Sequence, residues 1–275
     1  MVSPQRRKGR REKPRSPCLP AGRCVSAVNM CPMIELKNLT KRFGHVIAVR
    51  GLTLSVPEGE IFGFIGPNGA GKTTTLRMMG GVLLPTEGSV IIDGIDLTKE
   101  PERAKKRIGF IPDRPFLYEK LTGMEFLKFT ADLYGVESHS FQGRAREILK
   151  QFSLDHWADE LIESYSHGMK QRLIVSAALL HDPKVMIVDE PMVGLDPAGI
   201  RLIKAVFRDL AKRGITIFMS THTLAVAEDV CDRIGIIHRG TLIAMGAIED
   251  LRQRAQVREG DLEEVFMILT EGETV

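Results

Sequence analysis

From Ile61 the chain reads IFGFIGPNGAGKTTT. Gly66, four further residues, Gly71, Lys72 and Thr73 complete a GxxxxGK[ST] pattern. Each position answers a chemical need. The glycines let the backbone wrap so that successive N–H groups point inward and hold an anion. A helix starting at the end of the loop adds its free N–H groups and the positive end of its dipole. Lys72 reaches terminal phosphates, and the Thr73 hydroxyl is a ligand for Mg²⁺. An apolar strand before the loop and a helix after it separate a nucleoside triphosphate cradle from a chance glycine turn. Gly66, Pro67, Asn68, Gly69, Ala70, Gly71, Lys72, Thr73 and Thr74 are its candidate binding residues.

A second acidic element, VMIVDE, ends at Asp189 and Glu190. Asp189 is placed to hold Mg²⁺, directly or through water, and Glu190 to polarise an attacking water as general base. Taken alone the pair also fits an acidic cap on a strand end. A third stretch, YSHGMKQR at 165–172, sets Ser166 beside His167. It reads as a nucleophile with its base, as a capped helix, or as half of a binding site completed elsewhere. Adjacent residues rarely converge on one proton, which weighs against the first. The chain has no NKxD element for guanine, so ATP is favoured, and no HRD loop of a protein kinase. Recombinase-like and helicase-like ATPases remain open on the phosphate loop and acidic strand alone.

From Met33 onward strands and helices alternate. IELKNLTKRF, AVRGLTLSV, IFGFI, SVIIDG and RIGFIP read as strands, as do KVMIVDEP, ITIFMS and RIGIIH. TTTLRMMGG reads as the helix after the phosphate loop. LTGMEFLKFTADLYG opens on Thr122 with Glu125 three residues on, a capping box, and stops at Gly135. Further helices are expected over 140–153, 168–181 and 198–212. In the last, Leu202, Ile203, Val206, Phe207 and Leu210 share a face. Short apolar strands between helices predict an α/β domain with a parallel sheet covered on both faces. The helical block at about 116–181 interrupts it as an inserted subdomain.

The net charge of +3 is misleading. Residues 1–32 carry eight Lys/Arg against one Glu, so the rest of the chain is acidic at −4. A basic stretch of this composition, rich in Arg, Pro and Ser, is expected to be disordered. It argues weakly for a nucleic-acid face. It lacks the apolar core of a secretory signal, and a translation start at Met30 or Met33 fits the sequence as well as Met1. Cys18, Cys24, Cys31 and Cys231 match no zinc spacing and imply no disulfide framework, so a reducing compartment is expected. The longest apolar run, LIVSAALL at 173–180, falls well short of the roughly 18 residues a membrane helix needs.

Three further motifs join the phosphate loop and acidic strand, and together the chain resembles the ATP-binding cassette (ABC) family from about residue 34 to at least 250. YSHGMKQR resembles the family signature, LSGGQ. Ser166 and Gly168 match its serine and second glycine, while Tyr165, His167 and Met169 depart from its leucine, first glycine and glutamine. GLDP at 194–197 resembles the D-loop, with Asp196 as its aspartate. STHT at 220–223 resembles the switch, with His222 as its histidine. Phe43 stands where the family sets an aromatic ring against adenine. Asp113, followed by Arg114, replaces the family's glutamine after the strand ending at Pro112, and is a further candidate for Mg²⁺.

The resemblance implies a P-loop NTPase fold over 34–265: a mostly parallel core sheet, an antiparallel β subdomain and the inserted helical subdomain, with a C-terminal tail at 266–275. It implies an ATP hydrolase using Mg²⁺, with Glu190 and His222 catalytic. Two cassettes meet head to tail, so that Ser166, His167, Gly168 and Met169 of one close on ATP held by the other. The second cassette is another copy or a paralogue. The chain is most similar to single-cassette ABC-2-type export ATPases, through the segment after IPDRPFLYEKLTG and the late LEEVFMILT. The segment after 250 is too short for the regulatory domain of many import ATPases. The expected partner is a multi-helix permease, placing the chain on the cytoplasmic face of a membrane, and no specific nucleic acid is expected. The alternative is a non-transport cassette ATPase acting on ribosomes or nucleic acid. Such chains usually carry two phosphate loops or a long insertion, and only 94 positions separate Lys72 from Ser166 here.

Overall fold

A computed structural model describes residues 32–114, 116–257 and 262–271. The basic segment expected to be disordered lies outside them, apart from Pro32, which opens the first strand. That strand, β1 (Pro32–Phe43), pairs antiparallel with β2 (Val46–Pro57). β3 (Ile61–Ile65) leads through the glycine loop into α1 (Lys72–Met79). β4 (Glu87–Ile92), β5 (Ile95–Asp96) and a short α2 (Pro101–Lys105) follow, then β6 (Ile108–Ile111). The helical block is α3 (Gly123–Tyr134), α4 (Ser138–Gln151) and α5 (His167–Leu179), with two 3₁₀ turns between the last two. The chain then alternates β7 (Val185–Asp189), α6 (Pro197–Lys212), β8 (Thr216–Thr221), α7 (Leu224–Val230) and β9 (Arg233–His238). It ends on β10 (Thr241–Gly246), α8 (Ile248–Arg254) and α9 (Leu262–Glu271).

These strands form two sheets. One is antiparallel, in the order β2-β1-β4-β5. The other runs β10-β9-β3-β8-β7-β6 and is parallel except for the β9–β10 hairpin. The fold is therefore the P-loop NTPase arrangement expected. Alternate residues of the parallel strands feed opposite faces. Met186, Val188, Ile217, Met219, Ile234 and Ile236 join a core shared with α3–α9. Phe62, Phe64, Val185, Ile187, Phe218 and Ile237 join a second core beneath β1, β2, β4 and α1. Phe218 stacks on Phe62 at 5.2 Å between centroids in that second layer.

Thr122 caps α3: its hydroxyl accepts from the Glu125 N–H at 3.1 Å, and the Glu125 carboxylate accepts from the Thr122 N–H at 2.8 Å. The helix closes on Gly135 in the left-handed region. Thr122→Ala should lower stability by about 1 kcal/mol, read from the urea midpoint; an unchanged midpoint removes the cap from the stabilising set.

Three expectations need correction. The helices expected at 140–153 and 168–181 begin one or two residues earlier and end two residues earlier. Ser166 caps α5, and the chain leaves it at Leu180 for β7. β10, α7, α8 and α9 carry too little local signal to read in advance. The tail set at 266–275 starts inside α9, whose Leu262 and Val265 are buried in the helical-side core. Tertiary burial carries that helix across the expected boundary.

Candidate functional site

Sheet topology assembles the site. β3, β8 and β7 are parallel neighbours, so their C-terminal ends lie on one edge of the sheet, where α/β sheets bind ligands. Ile65 pairs with Thr221 and Asp189 with Ser220. Gly66, Glu190 and His222 are separated by up to 156 positions, yet each is the first residue or nearly so beyond adjacent strands. β6 lies beside β7, with Ile111 opposite Val188, and brings Asp113 to the same edge.

A cavity of about 350 Å³ opens there. Asn68, Gly69, Gly71, Lys72, Thr73 and Thr74 line it, with Ala48, Asp113, Glu190, Val193 and His222 around them. Gly66, Pro67 and Ala70, the rest of the loop, do not line it. The Lys72 ammonium donates to the Gly66 carbonyl at 2.6 Å and to the Pro67 carbonyl at 3.2 Å. Lys72 is buried, and burial pulls its pKa below the usual lysine range against the opposing pull of Glu190 and Asp189. Gly71 is the N-cap of α1 with φ of 108°, and a Cβ there would lie 2.5 Å from the Ala48 carbonyl. Gly71→Ala should lower stability by about 1–3 kcal/mol and weaken ATP binding, since Gly71 and Ala48 both line the cavity and must move apart. Thermal melts with and without ATP test both; a variant matching the parent in each sinks the reading.

Asp189 is buried at the end of β7, and the Ser220 hydroxyl donates to it. Ser220 was missed in the sequence because its role rests on strand register. Glu190 follows with φ of 52°, an unusual backbone for a glutamate, and its N–H donates to the Ser220 carbonyl at 3.2 Å. The Glu190 side chain is only 13% exposed and meets His222 Nδ1 at 2.9 Å. The His222 N–H adds a longer contact to the other carboxylate oxygen at 3.4 Å. The imidazole itself is 57% exposed, so it can face the cavity while holding the glutamate.

The hard oxygen donors suit Mg²⁺, which takes one or two carboxylates and completes its shell with phosphate and water. Among the described residues no group of three or more His, Cys, Asp and Glu could hold a metal alone. Of the expected donors, Thr73 and Asp113 line the cavity, while Asp189 is buried and does not. Asp113 also faces Arg114, with 3.9 Å between carboxylate and guanidinium.

Not every expected residue reaches the cavity. Phe43 is about half exposed at the end of β1, under the Lys41 ammonium, and does not line it. Neither do Ser166, Gly168 and Met169. Ser166 caps α5, accepting from the Met169 N–H at 3.3 Å. Asp196 likewise caps α6, accepting from the Gly199 N–H at 2.8 Å. His167 and Gly168 lie against Gly194 and Leu195.

A larger groove of about 1150 Å³ abuts the phosphate cavity, and Asp113, Glu190 and Val193 line both. Its apolar wall is a ladder of Phe116, Tyr118 and Phe129, with T-shaped contacts of 5.2 and 5.3 Å. Glu119, Lys120 and Lys170 supply its charge. No helix among the described residues is long and apolar enough to cross a membrane.

A family model described as ABC transporter matches residues 49–193. The linearmycin resistance ATP-binding protein LnrL of Bacillus subtilis (strain 168) is 37% identical over 242 residues, covering 86% of this chain and 78% of LnrL. A solved ATP-binding subunit of an ABC transporter superposes with a TM-score of 0.81 at 34% identity, covering 86% of this chain and 99% of that one. A dimeric bacterial ABC transporter cassette gives a TM-score of 0.72 at 29% identity, covering 78% and 99%.

Proposed function

The chain belongs to the ABC transporter family, and from that premise we propose that it is the ATPase subunit of an exporter, driving a separate multi-helix permease. As a member it binds ATP and hydrolyses it in coupling to transport. One observation carries the site assignment. The phosphate loop, the Glu190–His222 pair and Asp113 converge on one cavity, while Ser166, Gly168 and Met169 stand outside it. The signature then serves the ATP of a second cassette, and the dimeric relative supports that arrangement.

In the proposed cycle the backbone of Gly66–Gly71, with Lys72, cradles the phosphates. Phe43 offers its exposed ring to adenine. Thr73 and Asp189, and Asp113 beside them, would hold Mg²⁺, which neutralises phosphate charge when bound. Glu190 takes the proton of the attacking water, and His222 orients that carboxylate and stabilises charge developing on the γ-phosphate. Ser166 and the N-terminus of α5 in the second chain close over the same phosphate. Asp196, capping α6, fixes the turn between the catalytic glutamate and that helix.

The aromatic groove is the coupling surface, because it shares Asp113 and Glu190 with the phosphate cavity. The resistance function in LnrL's name supports export. The chain then sits on the cytoplasmic face of the membrane through its permease. The test is purification from detergent-solubilised membranes of the host, followed by ATPase assay with and without the co-purifying chain. A stoichiometric polytopic membrane protein that raises turnover supports the proposal. Recovery with ribosomes or nucleic acid in the soluble fraction overturns it.

A further inference from the structure

His167 occupies the position where the family signature has its first glycine, and its ring has a partner. A Cβ placed on Gly194 would lie 2.6 Å from His167 Nε2 and 2.7 Å from Cδ2, so the imidazole packs directly on the Gly194 backbone. Gly194 has φ of 75°, a conformation in which a side chain would be strained as well as crowded. The next residues touch too: a Cβ on Gly168 would meet Leu195 Cδ2 at 3.6 Å. Two consecutive signature residues thus rest on two consecutive residues of the 190–196 turn.

That turn is short and tied to the catalytic glutamate. The Val193 N–H donates to the Glu190 carbonyl at 3.3 Å, and the Leu195 N–H to the Met192 carbonyl at 3.4 Å. Glu190 itself sits at φ of 52°, a backbone held by its surroundings. A displacement of Gly194 is passed along a turn whose hydrogen bonds run back to Glu190 and whose other end is held by the Asp196 cap of α6. With glycine in place of His167, the signature would lack this ring contact with Gly194.

We propose that His167 is a positioning residue that props the 190–196 turn of its own chain, so that closure of its signature over the partner's ATP sets the geometry of its own Glu190. This rests on the shared-site reading above. The ring reports on one composite site and acts on the other.

Cis and trans effects separate in heterodimers of two tagged copies. One copy carries Glu190→Gln, so a single site hydrolyses, and single-turnover hydrolysis of preloaded ATP is followed. His167→Ala is placed either on the hydrolysing chain or on the silent one. Placement on the hydrolysing chain should slow the chemical step roughly 10–100-fold more, as a misplaced catalytic group does, with the ATP concentration for half-maximal rate the same in both. His167→Gln, which retains length and polarity, should restore most of the loss. Equal slowing in the two placements, greater slowing from the silent chain, or a lost rate that glutamine fails to rescue overturns the proposal. Ser166→Ala runs alongside as the control for the premise. It should be more damaging on the silent chain. If it shows no preference, the shared site and the His167 inference fall together. If it does and His167→Ala does not, only the inference falls.

Discussion

Glu190→Gln is expected to lower ATP turnover by roughly 10²–10⁴-fold, equivalent to about 3–5 kcal/mol in the activation barrier. The substitution keeps shape and burial. A glutamine oxygen can still meet His222 Nδ1 where the carboxylate now lies at 2.9 Å, so the turn and the cavity should persist. Basicity is what disappears. Phosphate release measures the loss. Light scattering with ATP should show a dimer that persists if, as proposed, ATP closes the dimer and hydrolysis reopens it. Turnover like the parent's would remove Glu190 from the role of base. Turnover lost together with ATP binding would point instead to a collapsed cavity.

Lys72→Met should weaken ATP binding by roughly 10–100-fold, the worth of charge-assisted hydrogen bonds to phosphate. It should also lower turnover by roughly 10²–10³-fold through lost stabilisation of transition-state charge. The fold should tolerate it. Burial lowers the Lys72 pKa, so the folded state disfavours the charged form, and removing the ammonium relieves that cost while giving up two contacts to loop carbonyls. The melting temperature without ATP should therefore change little, while the rise that ATP gives the parent largely vanishes. A variant that melts normally and still gains the parent's full rise with ATP would take Lys72 out of phosphate binding.

The two variants also probe different origins of the site. Lys72 lies within a contiguous loop, and the spacing of Gly66, Gly71 and Lys72 along the chain dictates what the backbone can do. Glu190 can meet His222 only because β7 lies beside β8, which in turn lies beside β3. Asp113 shows the intermediate case: the sequence places it after a strand, and β6 beside β7 sets it on the boundary of both cavities.

Features whose partners lie a few positions apart are legible in the order of residues alone. The phosphate loop, the Thr122–Glu125 cap, the Ser166 start of α5 and the buried strands are of this kind. Their hydrogen bonds and periodicities close within a turn or along one strand, so residue types at short spacing suffice. Strand neighbours emerge only in the folded chain, and with them the Ser220–Asp189 contact, the Glu190–His222 pair and the His167–Gly194 packing. Folding also carried α9 past the expected boundary and left Phe43 outside the phosphate cavity. Strand order and register follow from burying both faces of the sheet at once in two cores. That condition is summed over the whole chain, and no local window of sequence contains it.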